Sequence, residues 1–228
     1  MRNTLLLLSS VLLSAQLFAQ SLSGVESVEY DPINNRYLAS SDNSSIVAIA
    51  PNGGLSYFGS GTVADYGMEV IGNEIFVIAG TQIRCYDLDT ENMVWAQSIS
   101  GANFLNGMGS NGVDSIWFTD FSNKDIFALN INDPSDYSML VNNTEQTPNG
   151  IVYDGENNRC LFTTWGNPAH IKAMDLTTNA ITYVVQNTGV GNIDGIDKDA
   201  DGNWYISSWS PARITKYTND FGSSETIV

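Results

Sequence analysis

Four oxygen-bearing side chains recur at one place in a repeating pattern. Glu26, Asn106, Asn149 and Asp194 each open a stretch of similar design: ESVEYDPINNRYLA (26–39), NGMGSNGVDSIWF (106–118), NGIVYDGENNRCLFTTW (149–165) and DGIDKDADGNWYISSW (194–209). A fifth copy, YGMEVIGNEIFVI (66–78), opens on Tyr66. In chain order the five opening residues stand 40, 40, 43 and 45 positions apart. Two carboxylates and two amide carbonyls make an all-oxygen donor set, which suits a hard cation, Ca2+ above all. Zinc would call for His or Cys, and neither stands at these positions. Without a cation, Glu26 and Asp194 would repel each other if brought together.

Bringing them together is the task of the elements between. A period of 40–45 residues built from short strands is the mark of a β-propeller, in which the innermost strand of each blade lines a central channel. Equivalent residues then ring one mouth of that channel. Each repeat divides into four strands of alternating Val, Ile, Tyr, Phe and Trp, separated by Asn/Asp/Gly turns. The reading is all-β, five four-stranded blades starting near residues 26, 66, 106, 149 and 194, in one domain over 20–228. The apolar second strands (YLAS, IFVIAG, IWFT, CLFTT, WYIS) are the natural packing faces between blades. Trp117 and Trp204 belong to that core. Trp165 and Trp209 sit at strand ends, where they either join the core or line a pocket.

Other features narrow the function. The formal charge is −16, with 25 acidic against 9 basic residues. Such a surface repels phosphate backbones and anionic membranes, so no nucleic-acid or membrane partner is expected. Arg2, the apolar run LLLLSSVLL and Ala19 resemble a secretory leader over 1–19, shorter than a membrane span and cut after Ala19. A secreted or periplasmic protein is expected. Cys85 and Cys160 fall in repeats two and four, whose blades are not neighbours, so two buried free thiols are expected despite export. Asp197 to Gly202 has the start of an EF-hand loop, but Ser208 stands where the closing Glu is required, so it reads as a hairpin turn. His170, the single histidine, opens the third strand of repeat four and is expected at the surface or rim. The Asn-Gly and Asp-Gly pairs at 106, 149 and 194 have a second reading, as turns between blades. Glu26, followed by Ser27, has no such explanation.

The stretches PNGIVYDGENNRCLFTTW (148–165) and IDGIDKDADGNWYISSW (193–209) carry a resemblance to the senescence-marker-protein/gluconolactonase family of six-bladed propellers, related in fold to the paraoxonases. The resemblance covers essentially the whole mature chain. It implies that Glu26, Asn149 and Asp194 are metal ligands, that Asn106 is an additional ligand, and that Asp194 also acts in catalysis as base or nucleophile. It further implies six blades where five are found, so the sequence is expected to stop one blade short. Gluconolactonases carry an arginine and an asparagine before the third blade's innermost strand. This chain has Ala102-Asn103-Phe104-Leu105, with no arginine, which sets sugar-lactone specificity apart from the metal site. Asn103, Tyr66, Trp165 and Trp209 are candidates for the substrate pocket. The expected function is a Ca2+-dependent hydrolase acting on a small lactone or ester. The alternative is a non-catalytic propeller with a structural ion, binding a protein or glycan at its rim.

Overall fold

Within each repeat, strands adjacent in sequence pair with each other, so every ladder closes over a short hairpin. A computed structural model describes residues 22–41 and 44–228; the leader over 1–19 lies outside the described residues. Blade 1 is β1 (Val28–Asp31), β2 (Arg36–Ser40), β3 (Ile46–Ile49) and β4 (Leu55–Tyr57). Blade 2 is β5 (Met68–Ile71), β6 (Glu74–Ala79), β7 (Gln82–Asp87) and β8 (Met93–Ser98). Blade 3 is β9 (Leu105–Ser110), β10 (Ser115–Asp120), β11 (Asp125–Asn130) and β12 (Asp133–Val141). Blade 4 is β13 (Pro148–Asp154), β14 (Arg159–Thr164), β15 (Ile171–Asp175) and β16 (Ile181–Val185). Blade 5 is β17 (Gly191–Lys198), β18 (Trp204–Ser210), β19 (Ala212–Tyr217) and β20 (Ser224–Thr226). Each is an antiparallel sheet in simple sequence order, and together they form a five-bladed β-propeller. No helix among the described residues is long and apolar enough to cross a membrane.

Much of the acidic excess is used in the hairpins. Asp31 accepts from the backbone N–H groups of Ile33 and Asn34 and pairs with Arg36 at 2.9 Å. Asp154 pairs with Arg159 at 2.8 Å in the matching turn of blade 4. Asp199 accepts from the backbone of Asp201 and Asn203 and from the Tyr205 hydroxyl. The EF-hand-like stretch is therefore a hairpin turn, with the Asp199 oxygens engaged in it.

Alternation along β2, β6, β10, β14 and β18 sends successive side chains to opposite neighbours. Trp117 packs toward blade 4, against Phe162, Cys160 and Met174. Trp204 packs toward blade 4 with Leu161, Ile171 and Ile206. Cys85 and Cys160 are buried free thiols in different seams. His170 departs from expectation. It is buried, and its Nδ1 accepts from the Asn187 backbone at 3.0 Å. Burial and then the neighbouring Lys172 hold its pKa below the usual histidine range.

Four apolar clusters fill the seams 1–2, 2–3, 3–4 and 4–5, and none of them joins blade 5 to blade 1. Register shows what this leaves open. Tyr30 faces Tyr37 across blade 1 as Val70 faces Ile75 across blade 2, and Val28 stands where Met68 stands. Met68 and Ile75 are buried against blade 1, whereas Val28 is 51% and Tyr37 53% exposed. On blade 5, Ile214 pairs with Ser207 as the fully buried Ile171 pairs with Thr163 on blade 4, and Ile214 is exposed. The same pattern of side chains is thus packed at four seams and bare at the fifth.

This difference predicts unequal sensitivity at matched positions. Ile75→Ala should cost about 2–5 kcal/mol of stability, the range for emptying a packed core site. Tyr37→Ala, at the equivalent place on the bare face, should stay within about 0.5 kcal/mol, as exposed surface changes do. Urea unfolding of the two variants against the parent chain measures both.

Candidate functional site at the channel mouth

The innermost strands β1, β5, β9, β13 and β17 lie side by side around the channel. Asn106, Asn149 and Asp194 lie inside β9, β13 and β17, while Glu26 and Tyr66 stand just before β1 and β5. The Asn-Gly and Asp-Gly pairs are therefore not turns between blades. At each of the three, the ladder to the second strand slips: between Phe118 and Asp120, between Pro148 and Ile151, and between Ile193 and Ile196. Such bulges re-aim a side chain at the rim of a sheet.

The glycines after Tyr66, Asn106 and Asn149 serve close approach instead. A Cβ on Gly107 would lie 2.3 Å from the Asn149 carbonyl oxygen, one on Gly150 2.7 Å from that of Asp194, and one on Gly67 2.8 Å from that of Asn106. Blades 2, 3 and 4 thus each seat the next blade's site residue directly on their own backbone, which only glycine permits. Hydroxyls on the second strands complete the joint. Thr119 accepts from Gly107 N–H at 2.9 Å and donates to the Asn149 carbonyl at 2.8 Å. Ser207, in the same register on blade 5, accepts from Gly195 N–H at 2.9 Å.

The side chains meet as follows. Asn149 Nδ2 donates to Asp194 Oδ1 at 2.9 Å, and Trp209 Nε1 donates to Asp194 Oδ2 at 2.9 Å. A carboxylate can only accept, so Asn149 must turn its amide nitrogen toward Asp194. That leaves Asn149 Oδ1 with no hydrogen-bond partner, on a residue only 1% exposed. Glu26, Asn106 and Asp194 line one cleft of about 300 Å³ that runs down the channel. Burial, and then the charge of Asp194, hold the Glu26 carboxyl above its ordinary pKa. Burial and then Glu26 raise the Tyr66 phenol.

The pocket candidates divide. Asn103 offers its backbone N–H to Asp120 at 2.6 Å while its side chain is exposed. Tyr66, Trp165 and Trp209 belong to an unbroken arc of rings. Tyr66 touches Phe104 (centroids 4.9 Å apart), Phe104 touches Phe121 (5.3 Å), Phe121 touches Trp165 (5.8 Å) and Trp165 touches Trp209 (6.5 Å). The arc runs from blade 2 to blade 5, and its two ends are tied to the acids through Tyr66–Glu26 and Trp209–Asp194.

A second acidic group lies deeper in the channel and was not singled out from the sequence. Glu29, Glu69 and Asp197 each stand three residues past the opening position of blades 1, 2 and 5, so the repeat that revealed the first set also carried this one. Ser110 Oγ donates to Glu69 at 2.7 Å, and Val70 N–H donates to Glu29 at 3.4 Å. Burial, with Glu69 and then Asp197 nearby, pushes Glu29 up to about 9; burial, with Asp197 nearby, pushes Glu69 up to about 7.

No protein-family model matches the chain, and no curated protein matches it in sequence. Among solved structures, the chain is similar to one titled "Crystal structure of Nidogen/Laminin Complex", with a TM-score of 0.73 and 12% identity over 89% of this chain and 79% of that one. At such identity the likeness speaks for the propeller fold alone.

Two outcomes follow from this geometry. Gly107→Ala should destabilise the protein by about 1–3 kcal/mol, the usual cost of overpacking, and should displace Asn149; Gly195→Ala, at the matching place on blade 5 where a Cβ would meet only the Ser207 hydroxyl at 3.2 Å, serves as the comparison. Thermal unfolding of both reads the difference. For pH, the unfolded chain ionises Glu29 and Glu69 near 4.5, whereas the folded chain retains their protons to higher pH. The stability they allow is therefore complete below about 4.5 and is lost as pH rises through about 7 and about 9. Glu69→Gln should raise the melting temperature at pH 8 more than at pH 4.5.

Proposed function

We propose that the channel mouth holds a divalent cation of the Ca2+ class and that the protein is an exported hydrolase of lactones or related esters, of the gluconolactonase-like kind. One observation carries this reading: the buried, unpartnered Asn149 Oδ1 on a side chain that is hydrogen-bonded to the Asp194 carboxylate, with Glu26 lining the same cleft as Asp194. A buried carbonyl-type oxygen without a partner is costly, and a cation would satisfy it and neutralise Glu26 and Asp194 together. Asn106, in the same cleft, adds a fourth oxygen donor of the same kind. The residues present therefore fit a hard cation.

When bound, the ion would polarise the substrate's carbonyl oxygen. The chain's own groups would do the rest. Asn149 Nδ2 and Trp209 Nε1 hold the Asp194 carboxylate in one orientation, and each of its oxygens keeps a second lone pair. Asp194 takes a proton from water as the water oxygen bonds to the acyl carbon. The bond between acyl carbon and alkoxy oxygen then breaks, and the proton passes to the departing oxygen.

A second reading keeps the ion as a staple and gives the rim to a protein or glycan. Trp209, 63% exposed beside the mouth, favours it. Titration with Ca2+ and assay of a lactone and aryl-ester panel separate the two. The hydrolase reading expects a saturable Ca2+-dependent rise in melting temperature, about 2.7 kcal/mol at a hundredfold excess over Kd. It also expects Asp194→Asn to lower turnover by about 10²-fold or more, as loss of a general base does. Turnover indifferent to both chelation and Asp194→Asn excludes it. A Ca2+-raised melting temperature without turnover favours the second.

A further inference from the structure

The aromatic arc at the mouth joins five rings in unbroken contact, all of them reached by solvent. Tyr66, Phe104, Phe121 and Trp165 are each half-buried, and Trp209 is exposed. Apolar surface of this kind, continuous across four blades, marks a binding face rather than scattered exposure. The rings brace one another: interplanar angles of 58°, 48°, 64° and 62° along the chain of contacts are tilted or edge-on arrangements, which hold neighbouring rings in place. Trp209 is further fixed by its hydrogen bond to Asp194. The wall is built before any ligand arrives.

The charges beside it restrict what it can take. One end of the arc is hydrogen-bonded to Asp194 and the other lies within electrostatic reach of Glu26, and no lysine or arginine lines the channel cleft or the shallow hollow under Trp209 among the described residues. With a net charge of −16 over the chain, a carboxylate or phosphate on the ligand would be repelled; the cleft offers it no cationic side chain, and an ion already neutralised by Glu26 and Asp194 would leave no net positive charge for it. Where blade 3 enters the channel the wall is Phe104, an apolar side chain with no donor to offer hydroxyls.

We propose that the mouth selects an uncharged carbonyl compound bearing an aromatic or alicyclic ring, the ring lying on the Phe104–Phe121–Trp165–Trp209 wall and the carbonyl reaching Asp194. Within the lactone and ester class the wall excludes polyhydroxylated compounds, so the gluconolactonase-like character is confined to the ion-holding residues. The carbonyl end of this proposal rests on the reading of the mouth as a hydrolytic site; the ring end rests on the arc alone.

The test measures binding without turnover. Phenylacetamide, phenylacetate, phenethylammonium and butyramide are titrated calorimetrically into the full chain, with and without Ca2+. Phenylacetamide is expected to bind at least about tenfold more tightly than butyramide or phenylacetate. Trp165→Ala and Phe104→Ala, each checked for native circular dichroism, should lose most of that preference, and Trp165→Phe should restore it. The proposal is overturned if butyramide or phenylacetate matches phenylacetamide, if no probe binds, or if folded alanine variants keep the preference. Tighter binding of phenethylammonium than of the amide in the presence of Ca2+ overturns it too, in favour of a cation cage. Rates for ethyl phenylacetate and ethyl butyrate separate the two levels. Ring-selective binding without Ca2+-dependent hydrolysis of either ester removes the hydrolase reading alone. Equal kcat/KM for the two esters removes the ring preference alone.

Discussion

The contact on which the site depends is a backbone one: a glycine of one blade lying against the carbonyl of the next blade's site residue. Gly67 lies under Asn106, Gly107 under Asn149 and Gly150 under Asp194, each with less room than a methyl group needs. Seams of apolar side chains could be repacked in several ways at modest cost. A joint with no side chain between two backbones cannot, so it sets the spacing of the innermost strands. Through that spacing it decides whether the oxygens at the mouth meet. Gly67 N–H bonding to the Asn106 carbonyl at 2.9 Å, and Thr119 bridging Gly107 to Asn149, lock the same joint with hydrogen bonds.

That rigidity permits an electrostatic arrangement that would otherwise relax. Glu26 and Asp194 belong to the first and last blades, yet they influence each other across one cleft. Three residues further down, Glu29, Glu69 and Asp197 repeat the juxtaposition. A flexible ring would let like charges part. Here the strands are held by short backbone contacts, so burial first, and this repulsion second, keep the Glu26, Glu29 and Glu69 carboxyls above their ordinary range. Between blades 1 and 5 the faces carrying Val28, Tyr37 and Ile214 are bare, so they bring no apolar packing to offset it.

Legibility followed distance along the chain. The strands, their hairpins and the inward side of each second strand could be read because the partners that define them are within one repeat. Asp31 and Arg36, or Tyr30 and Tyr37, are five to seven residues apart. The equivalence of Glu26, Tyr66, Asn106, Asn149 and Asp194 was also visible, because symmetry turns a one-dimensional period into a ring. Glu29, Glu69 and Asp197 obeyed the same period but drew no notice, since a glutamate in a strand resembles any solvent-facing residue until its neighbours are known. His170 looks like a rim residue in the sequence and is instead buried, with its ring against Tyr183 of its own blade, a matter of packing.

The amino-acid sequence determined the period, the blade content, the alternation that makes seams, and the identity of the oxygens offered to the mouth. All of these are local or repeated features that hydrogen bonding between adjacent strands converts directly into structure. Only the tertiary structure decided that the glycines serve close approach rather than turning. It also decided that Trp209 binds Asp194, that five rings join into one wall, and that Asn149 keeps an oxygen unpaired. Apart from the Trp209–Asp194 bond, which is made across blade 5, those facts depend on distances of a few ångströms between blades some forty residues apart in sequence. No local propensity encodes such distances; they emerge when all the blades pack at once.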